Sequence, residues 1–160
     1  MSDWKAKPQD LIQAKSHWRI GVVVARFNEQ ITAELLKGFE AMCLEAGMEK
    51  TQVEIHWVPG AVELPIALKM LGKTGRVQAL CGLGAVIRGG TPHFDYVCQQ
   101  VSYGFQKVAL DLELPVVFGV LTTDNLGQAK ERALMNKDNK GGEAAQAALE
   151  MLMRLEEIKG

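Results

Sequence analysis

The sequence is poor in features that would take it out of the ordinary globular class. There are three cysteines in 160 residues, Cys43, Cys81 and Cys98, an odd number with no CxxC pair. That usage fits free thiols in a reducing, cytoplasmic setting and not a disulfide framework. Aromatic residues make up only 6% of the chain, and no apolar run approaches the roughly 20 residues of a membrane span. The formal net charge is −1, so no broad basic field favours nucleic acid or an anionic membrane. The opening MSDWKAKPQD is polar and lacks the apolar core of a signal peptide. No repeat, low-complexity tract or linker divides the chain. What remains is 48% hydrophobic and 23% charged residues in a length that suits one domain. Glycine, at 16 residues, is the one excess.

Residues 1–17 are polar, contain Pro8, and read as an N-terminal arm before a single domain over 18–160. From Ile20 to Ala25 the run IGVVVA has the apolar, β-branched character of a strand buried on both faces. Asn28 offers an N-cap, and Ile31, Leu35, Phe39, Met42 and Ala46 recur at helical spacing up to Gly47. A second strand is expected over Val53–Val58, then a helix from about Val62 to Leu71 closed by Gly72. A third strand spans Val77–Ile87, interrupted by Gly82 and Gly84. A helix with Val97, Val101, Phe105, Val108 and Leu112 on one face follows RGGTP. Pro115 opens a fourth strand, Val116–Leu121. Two helices close the chain, at about Leu126–Met135 and Gly142–Ile158. Strands alternating with helices predict an α/β fold: a four-stranded parallel sheet covered on both faces in three layers. Ligands in such folds bind beyond the carboxyl ends of the strands, so the segments there are where chemistry is expected.

The first strand end reads ARFNEQ, with no GxGxxG. Phe27 there is either a hydrophobic plug or a platform for stacking a flat ring. At the second, VPGAVELP, Gly60 admits close backbone approach. Glu63 either answers a helix dipole or accepts hydrogen bonds from a polyol. The third end, GAVIRGGTPHFDYV, is the richest. Gly89 and Gly90 free the backbone, Thr91 can cap, and Pro92 can take the first helical position. Backbone N–H groups at such a start make a phosphate or carboxylate site. Arg88 either assists that anion or pairs with a nearby acid. His93, in the first turn beside the anion site, is the candidate for proton transfer, against the commoner structural role of a lone histidine. Asp95 either orients the imidazole or favours the helix start. Arg132 and Lys140 are surface cations, or two ligands for a phosphorylated substrate. Gly141, like Gly60, Gly89 and Gly90, sits where backbone approaches a ligand or opens a helix.

Other chemistries find no support. Gly72-Lys73-Thr74 would need a glycine at position 67 to end a P-loop, and Ala67 stands there. His17, His56 and His93 lack metal-ligand spacing, and neither HExxH nor GxSxG occurs.

Six blocks in order carry a family resemblance: RFN at 26–28, PGAVELP at 59–65, GAVIRGGTPHFDYV at 84–97, FGVLTTDN at 118–125, ERA at 131–133 and NKGGEAA at 139–145. From about Ile20 to its end the chain closely resembles the lumazine synthases of riboflavin biosynthesis. The resemblance implies a flavodoxin-like fold and a transferase. Its reaction joins 5-amino-6-(D-ribitylamino)uracil to 3,4-dihydroxy-2-butanone 4-phosphate, giving 6,7-dimethyl-8-ribityllumazine, phosphate and water, with no cofactor and no metal. It implies Phe27 stacked on the pyrimidine, Ala61, Val62 and Glu63 along the ribityl chain, and Ala85, Val86 and Ile87 presenting backbone groups to the ring. It implies Gly90 and Thr91 on the phosphate with a neighbouring subunit's Arg132, His93 moving protons, and Phe118 and Lys140 completing the pocket across the interface.

The resemblance also implies at least a pentamer with shared sites, and an arm docked on a neighbour, with the residues before His17 as a candidate added strand. Icosahedral members usually carry a glycine-rich segment before NKG, and many pentameric ones an insertion. This chain has Leu134–Asp138 there without lengthening. The lack of an insertion leans toward a 60-subunit capsid. A riboflavin synthase, which would consume the product, is the expected protein partner; nucleic acid and membrane are not. The rival readings are a non-catalytic flavin- or lumazine-binding protein, a shell protein of the same fold, and riboflavin synthase activity on the same lumazine.

Overall fold

In the computed structural model, which describes residues 12–160, the chain forms a three-layer α/β/α sandwich around an all-parallel sheet. The elements run β1 (Ile20–Ala25), α1 (Glu29–Glu45), β2 (Val53–Val58), α2 (Leu64–Lys73), β3 (Ala79–Ile87), α3 (His93–Leu112), β4 (Val116–Thr123), α4 (Leu126–Ala133) and α5 (Lys140–Lys159). Single 3₁₀ turns at Lys50–Gln52 and Ala61–Glu63 lead into β2 and α2. The strand order is β2-β1-β3-β4. The connection from β1 therefore runs to one side, to β2, and that from β3 to the other, to β4, and the crevice between the ends of β1 and β3 is the place such sheets reserve for ligands.

The two-residue alternation of β1 sorts its side chains between the layers. Val22 and Val24 join Leu35, Phe39, Ala145 and Leu149 on the α1, α4 and α5 side. Val23 and Ala25 join Leu64, Leu68, Val101 and Phe105 on the α2 and α3 side. All six residues of β1 are buried, which is why the sequence there reads as an unbroken apolar run. Val53 pairs with Ile20 and Ala79 with Ile20 from the other side, so the three strands start level.

Several element ends differ from the sequence expectation. The helix assigned to Val62–Leu71 opens as the 3₁₀ turn and runs on to Lys73. Gly72 is inside it, where a side chain would strike Leu112 and Leu80; the turn glycine is Gly75, at φ +74°. The third strand starts at Ala79 and runs unbroken through Gly82 and Gly84. The fourth extends to Thr123, and α4 stops at Ala133 because Leu134 is extended. Asn28 does not cap α1 with its side chain. It sits in the left-handed region at φ 61° and its Nδ2 donates to the Ala85 carbonyl at 2.8 Å.

The last helix begins at Lys140, two residues before the expected start, because Asn139 is its cap: Asn139 Oδ1 accepts from Gly142 N–H at 3.0 Å. Asn139 Nδ2 donates to the Glu34 carbonyl at 2.9 Å and also to Ala133. Gly141 opens this helix, as expected, but what it approaches is protein: a Cβ on it would collide with the Leu35 carbonyl. The start of α5 and the middle of α1 thus cross backbone to backbone.

Of the arm, residues 1–11 lie outside the described residues. Residues 12–17 lie on the chain's own body. Ala14 N–H donates to Ala46 O at 2.8 Å, and His17 and the buried Trp18 meet Glu156 Oε1 at 2.8 and 2.7 Å. Lys15, His17 and Trp18 hydrogen-bond Glu156 and hold its carboxyl down at about 2, with Lys15 the largest cause.

Candidate functional site

The carboxyl ends of β1, β2 and β3 enclose an open cleft of about 410 Å³. Its floor is stitched across the crevice. Arg26 N–H donates to Val58 O at 2.8 Å and Phe27 N–H to Pro59 O at 2.9 Å, joining the loops after β1 and β2. The Asn28–Ala85 hydrogen bond joins the loop after β1 to the end of β3. The left-handed backbone of Asn28 turns its amide toward β3, a use of asparagine's tolerance of that region that the sequence expectation missed.

Phe27 stands at the mouth, 73% exposed, with its ring unused by the core. A plug for this chain's own core would be buried, and this ring is not. Ala61, Val62 and Glu63 form the second wall. The Glu63 N–H donates to Gly60 O at 3.2 Å, and Glu63 Oε2 lies beside Gly60. That places an exposed carboxylate on the cleft rim, able to accept from hydroxyl groups. Ala85, Val86 and Ile87 line the third wall at the end of β3. There the strand passes its ladder partner β4 only at one edge, opposite Leu121, Thr122 and Thr123.

Thr91 and His93 line the far end, where α3 begins. Thr91 Oγ1 accepts from His93 N–H at 3.4 Å. Pro92 takes a helical conformation just before the first hydrogen-bonded residue of α3, as its missing N–H permits. Gly90 lies in the same loop but does not itself line the cleft, whereas Gly89 does. Gly89, Thr91 and His93 bring the start of a 20-residue helix and a threonine hydroxyl to the cleft, a chemistry suited to phosphate. Arg88 is committed elsewhere: Nε donates to Asp124 Oδ1 at 3.0 Å and Nη1 reaches Asp95 Oδ1 at 3.4 Å. Its acid-pairing reading is the one this geometry supports, and Asp95 is bound to Arg88.

The remaining candidates lie outside this cleft. Phe118 sits near the start of the edge strand β4, facing α3, with its ring 5.0 Å from Phe105 at 77°. Arg132 is exposed in the last turn of α4, its Nη1 donating to Gln128 O at 3.0 Å. Lys140 opens α5 and pairs with Asp138 and Glu143 at 3.0 Å each. Phe94 and Val97, core-type residues in the sequence, also line the cleft, because the first two turns of α3 lean over it. A helical periodicity alone cannot separate a wall of a cleft from a core face.

Among the described residues, no three His, Cys, Asp or Glu side chains are placed to hold a metal ion, and no helix is long and apolar enough to cross a membrane. Cys43 and Cys81 are buried, and burial pushes Cys43 up to about 12 and Cys81 higher still, so neither thiol is primed for chemistry.

The sequence matches the family described as 6,7-dimethyl-8-ribityllumazine synthase over residues 17–156. Two similar proteins are the 6,7-dimethyl-8-ribityllumazine synthases of Coxiella burnetii strains CbuG_Q212 and RSA 493 / Nine Mile phase I. Each is 46% identical over 145 residues, covering 91% of this chain and 96% of the relative.

Proposed function

We propose, from the premise that this chain belongs to the 6,7-dimethyl-8-ribityllumazine synthase family, that the cleft at the β1–β3 crevice is where its two substrates condense. The chain is a transferase of riboflavin biosynthesis, making 6,7-dimethyl-8-ribityllumazine from 5-amino-6-(D-ribitylamino)uracil and 3,4-dihydroxy-2-butanone 4-phosphate. The observation that carries the site assignment is the meeting, in one cleft, of an exposed ring, a rim carboxylate and the start of α3.

In this reading Phe27 stacks on the pyrimidine, and backbone groups of Ala85, Val86 and Ile87 meet its polar edge. Ala61 and Val62 line the ribityl chain while Glu63 accepts its hydroxyl hydrogens. Gly90, Thr91 and the start of α3 hold the phosphate of the butanone. The pyrimidine's amine attacks the ketone, and loss of water leaves a Schiff base. Phosphate then departs by elimination, and ring closure releases a second water. Phosphate is both handle and leaving group, so the donors that orient it also stabilise its growing charge. His93, beside that site, moves protons near neutral pH. Holding two reactive molecules together supplies much of the acceleration, so His93 assists without being indispensable.

Arg132, Phe118 and Lys140 act in this reading from a neighbouring subunit. Their positions outside the chain's own cleft, all on accessible surface, support that role. So does an apolar outer face on the α2–α3 layer. Ile66 and Met70 are one turn apart on α2, and Tyr96, Tyr103 and Leu110 lie seven apart on α3, all exposed. A second copy of the chain covers that face, and closed rotation makes a pentamer. The short turn at Leu134–Asp138 has no insertion, which favours assembly of pentamers into a capsid. A cytoplasmic location and a riboflavin synthase partner belong to the same proposal.

Mixing the two substrates with the protein and following lumazine absorbance with phosphate release tests the activity. A non-catalytic lumazine binder would bind the pyrimidine and release no phosphate. Native mass measurement tests the assembly, and a monomer with full activity would overturn the shared site.

A further inference from the structure

The glycine loop between β3 and α3 is exposed. Among the described residues, a methyl group added at Gly89 or Gly90 would meet no atom within 4 Å beyond its chain neighbours. Backbone with that freedom must be ordered before it can grip a ligand, at an entropic cost. The loop is tied at its two ends, and Arg88 makes the ties. Its N–H donates to Thr123 O at 2.8 Å, fixing the loop's start to β4. Its guanidinium then reaches Asp124 just beyond β4 and Asp95 in the first turn of α3. The plane lies 4.3 Å from the ring centroid of Phe94, a residue that lines the cleft. Asp124 is itself fixed, its N–H donating to Gln128 Oε1 at 2.8 Å.

We propose that Arg88 is a positioning residue for the phosphate subsite: it clamps both ends of the glycine loop and backs the Phe94 wall without touching substrate. The proposal rests on the reading that this loop and the start of α3 hold the phosphate. A forked, planar cation is required, because Nε and Nη1 must meet two different carboxylates while the plane lies on an aromatic ring. The clamp also neutralises Asp95 and Asp124. Left bare, those carboxylates would face an anion site with uncompensated negative charge. The ion pairs are open to solvent, with the Arg88 side chain 43% exposed, so their loss should hardly affect global stability.

The test uses assembled enzyme carrying Arg88→Met, Arg88→Lys or Asp124→Asn. KM for each substrate, kcat, inhibition by inorganic phosphate and the thermal midpoint are read for each. Arg88→Met should raise KM for the butanone phosphate and the inhibition constant of inorganic phosphate by about tenfold, the cost of re-ordering about one loop residue. KM for the pyrimidine should stay within about twofold, and the midpoint within a few degrees. Asp124→Asn, which frees one end, should give a smaller shift in the same two constants. Arg88→Lys should stay near Arg88→Met. Full recovery with lysine would make Arg88 a point-charge ligand and overturn the clamp. Equal changes for both substrates, or none, would overturn it too. If Arg88→Met fails to assemble, Asp124→Asn decides by the same shift or its absence. Inorganic phosphate that does not compete with the butanone phosphate in the unaltered enzyme would defeat the phosphate-site reading itself, and the clamp with it.

Discussion

Asn139→Ala should unravel the crossing of α1 and α5 from one side chain. Asn139 Oδ1 caps α5 through Gly142 N–H, and Nδ2 donates to the carbonyls of Glu34 and Ala133. Loss of the cap costs about 1 kcal/mol. Each carbonyl left without its donor in this half-buried place costs about 1 kcal/mol more, so the whole change is about 3 kcal/mol. For a chain of this size that lowers the thermal midpoint by roughly 6–12 °C. Scanning calorimetry at one fixed subunit concentration is the assay, since association shifts midpoints by mass action. Asn139→Asp separates the terms: it keeps the capping oxygen but sets a carboxylate against two carbonyls. It should be no more stable than Asn139→Ala. A loss under about 1 kcal/mol for alanine, or aspartate matching the native chain, would refute the argument that the cap and the two carbonyl bonds together hold the crossing.

Phe27→Ala should leave the stability within about 0.5 kcal/mol of native, because the ring is exposed. It should raise KM for the pyrimidine by roughly 3–10-fold, the worth of one stacked pair; an unchanged KM counts against stacking. His93→Ala should lower turnover by about 10²-fold, the small end of proton-transfer catalysis, with folding intact. A pH–rate profile identical to the native one would remove its proton-transfer role. The Glu156 carboxyl, held near 2 by Lys15, Trp18 and His17, titrates below its unfolded value. Its stabilisation is therefore present above about pH 4.5 and lost as pH falls toward 2. Glu54, held near 2 by Arg76 and His56, adds to the same window. Amide exchange at residues 15–18 should accelerate across that acid range, and Glu156→Gln should flatten the effect. Exchange that is independent of pH after correction for the intrinsic rate would contradict the anchor.

The fold was legible because its signals are local. A run such as IGVVVA and the helical spacing from Ile31 to Ala46 each follow from burial within one element. Their alternation leaves few topologies open. Element ends were less legible, since the residues that set them act at a distance. Gly72 looks like a stop signal, yet it is a place where Leu112 and Leu80 press on the helix. Asn28 looks like a cap, yet its amide is spent on Ala85, far along the chain. Asn139 went unread because its amide donates to Glu34, Ala133 and Met135, all outside its own helix.

The sequence by itself determined the alternation of strands and helices and the parallel sheet they build. These depend on which residues bury and on what each residue type permits in the backbone. Only the tertiary structure decided that the strand order reverses beside β1, so that loops from three distant stretches meet in one cleft. It alone showed Arg88 bound by two carboxylates. Those outcomes depend on distances between segments that no local pattern records.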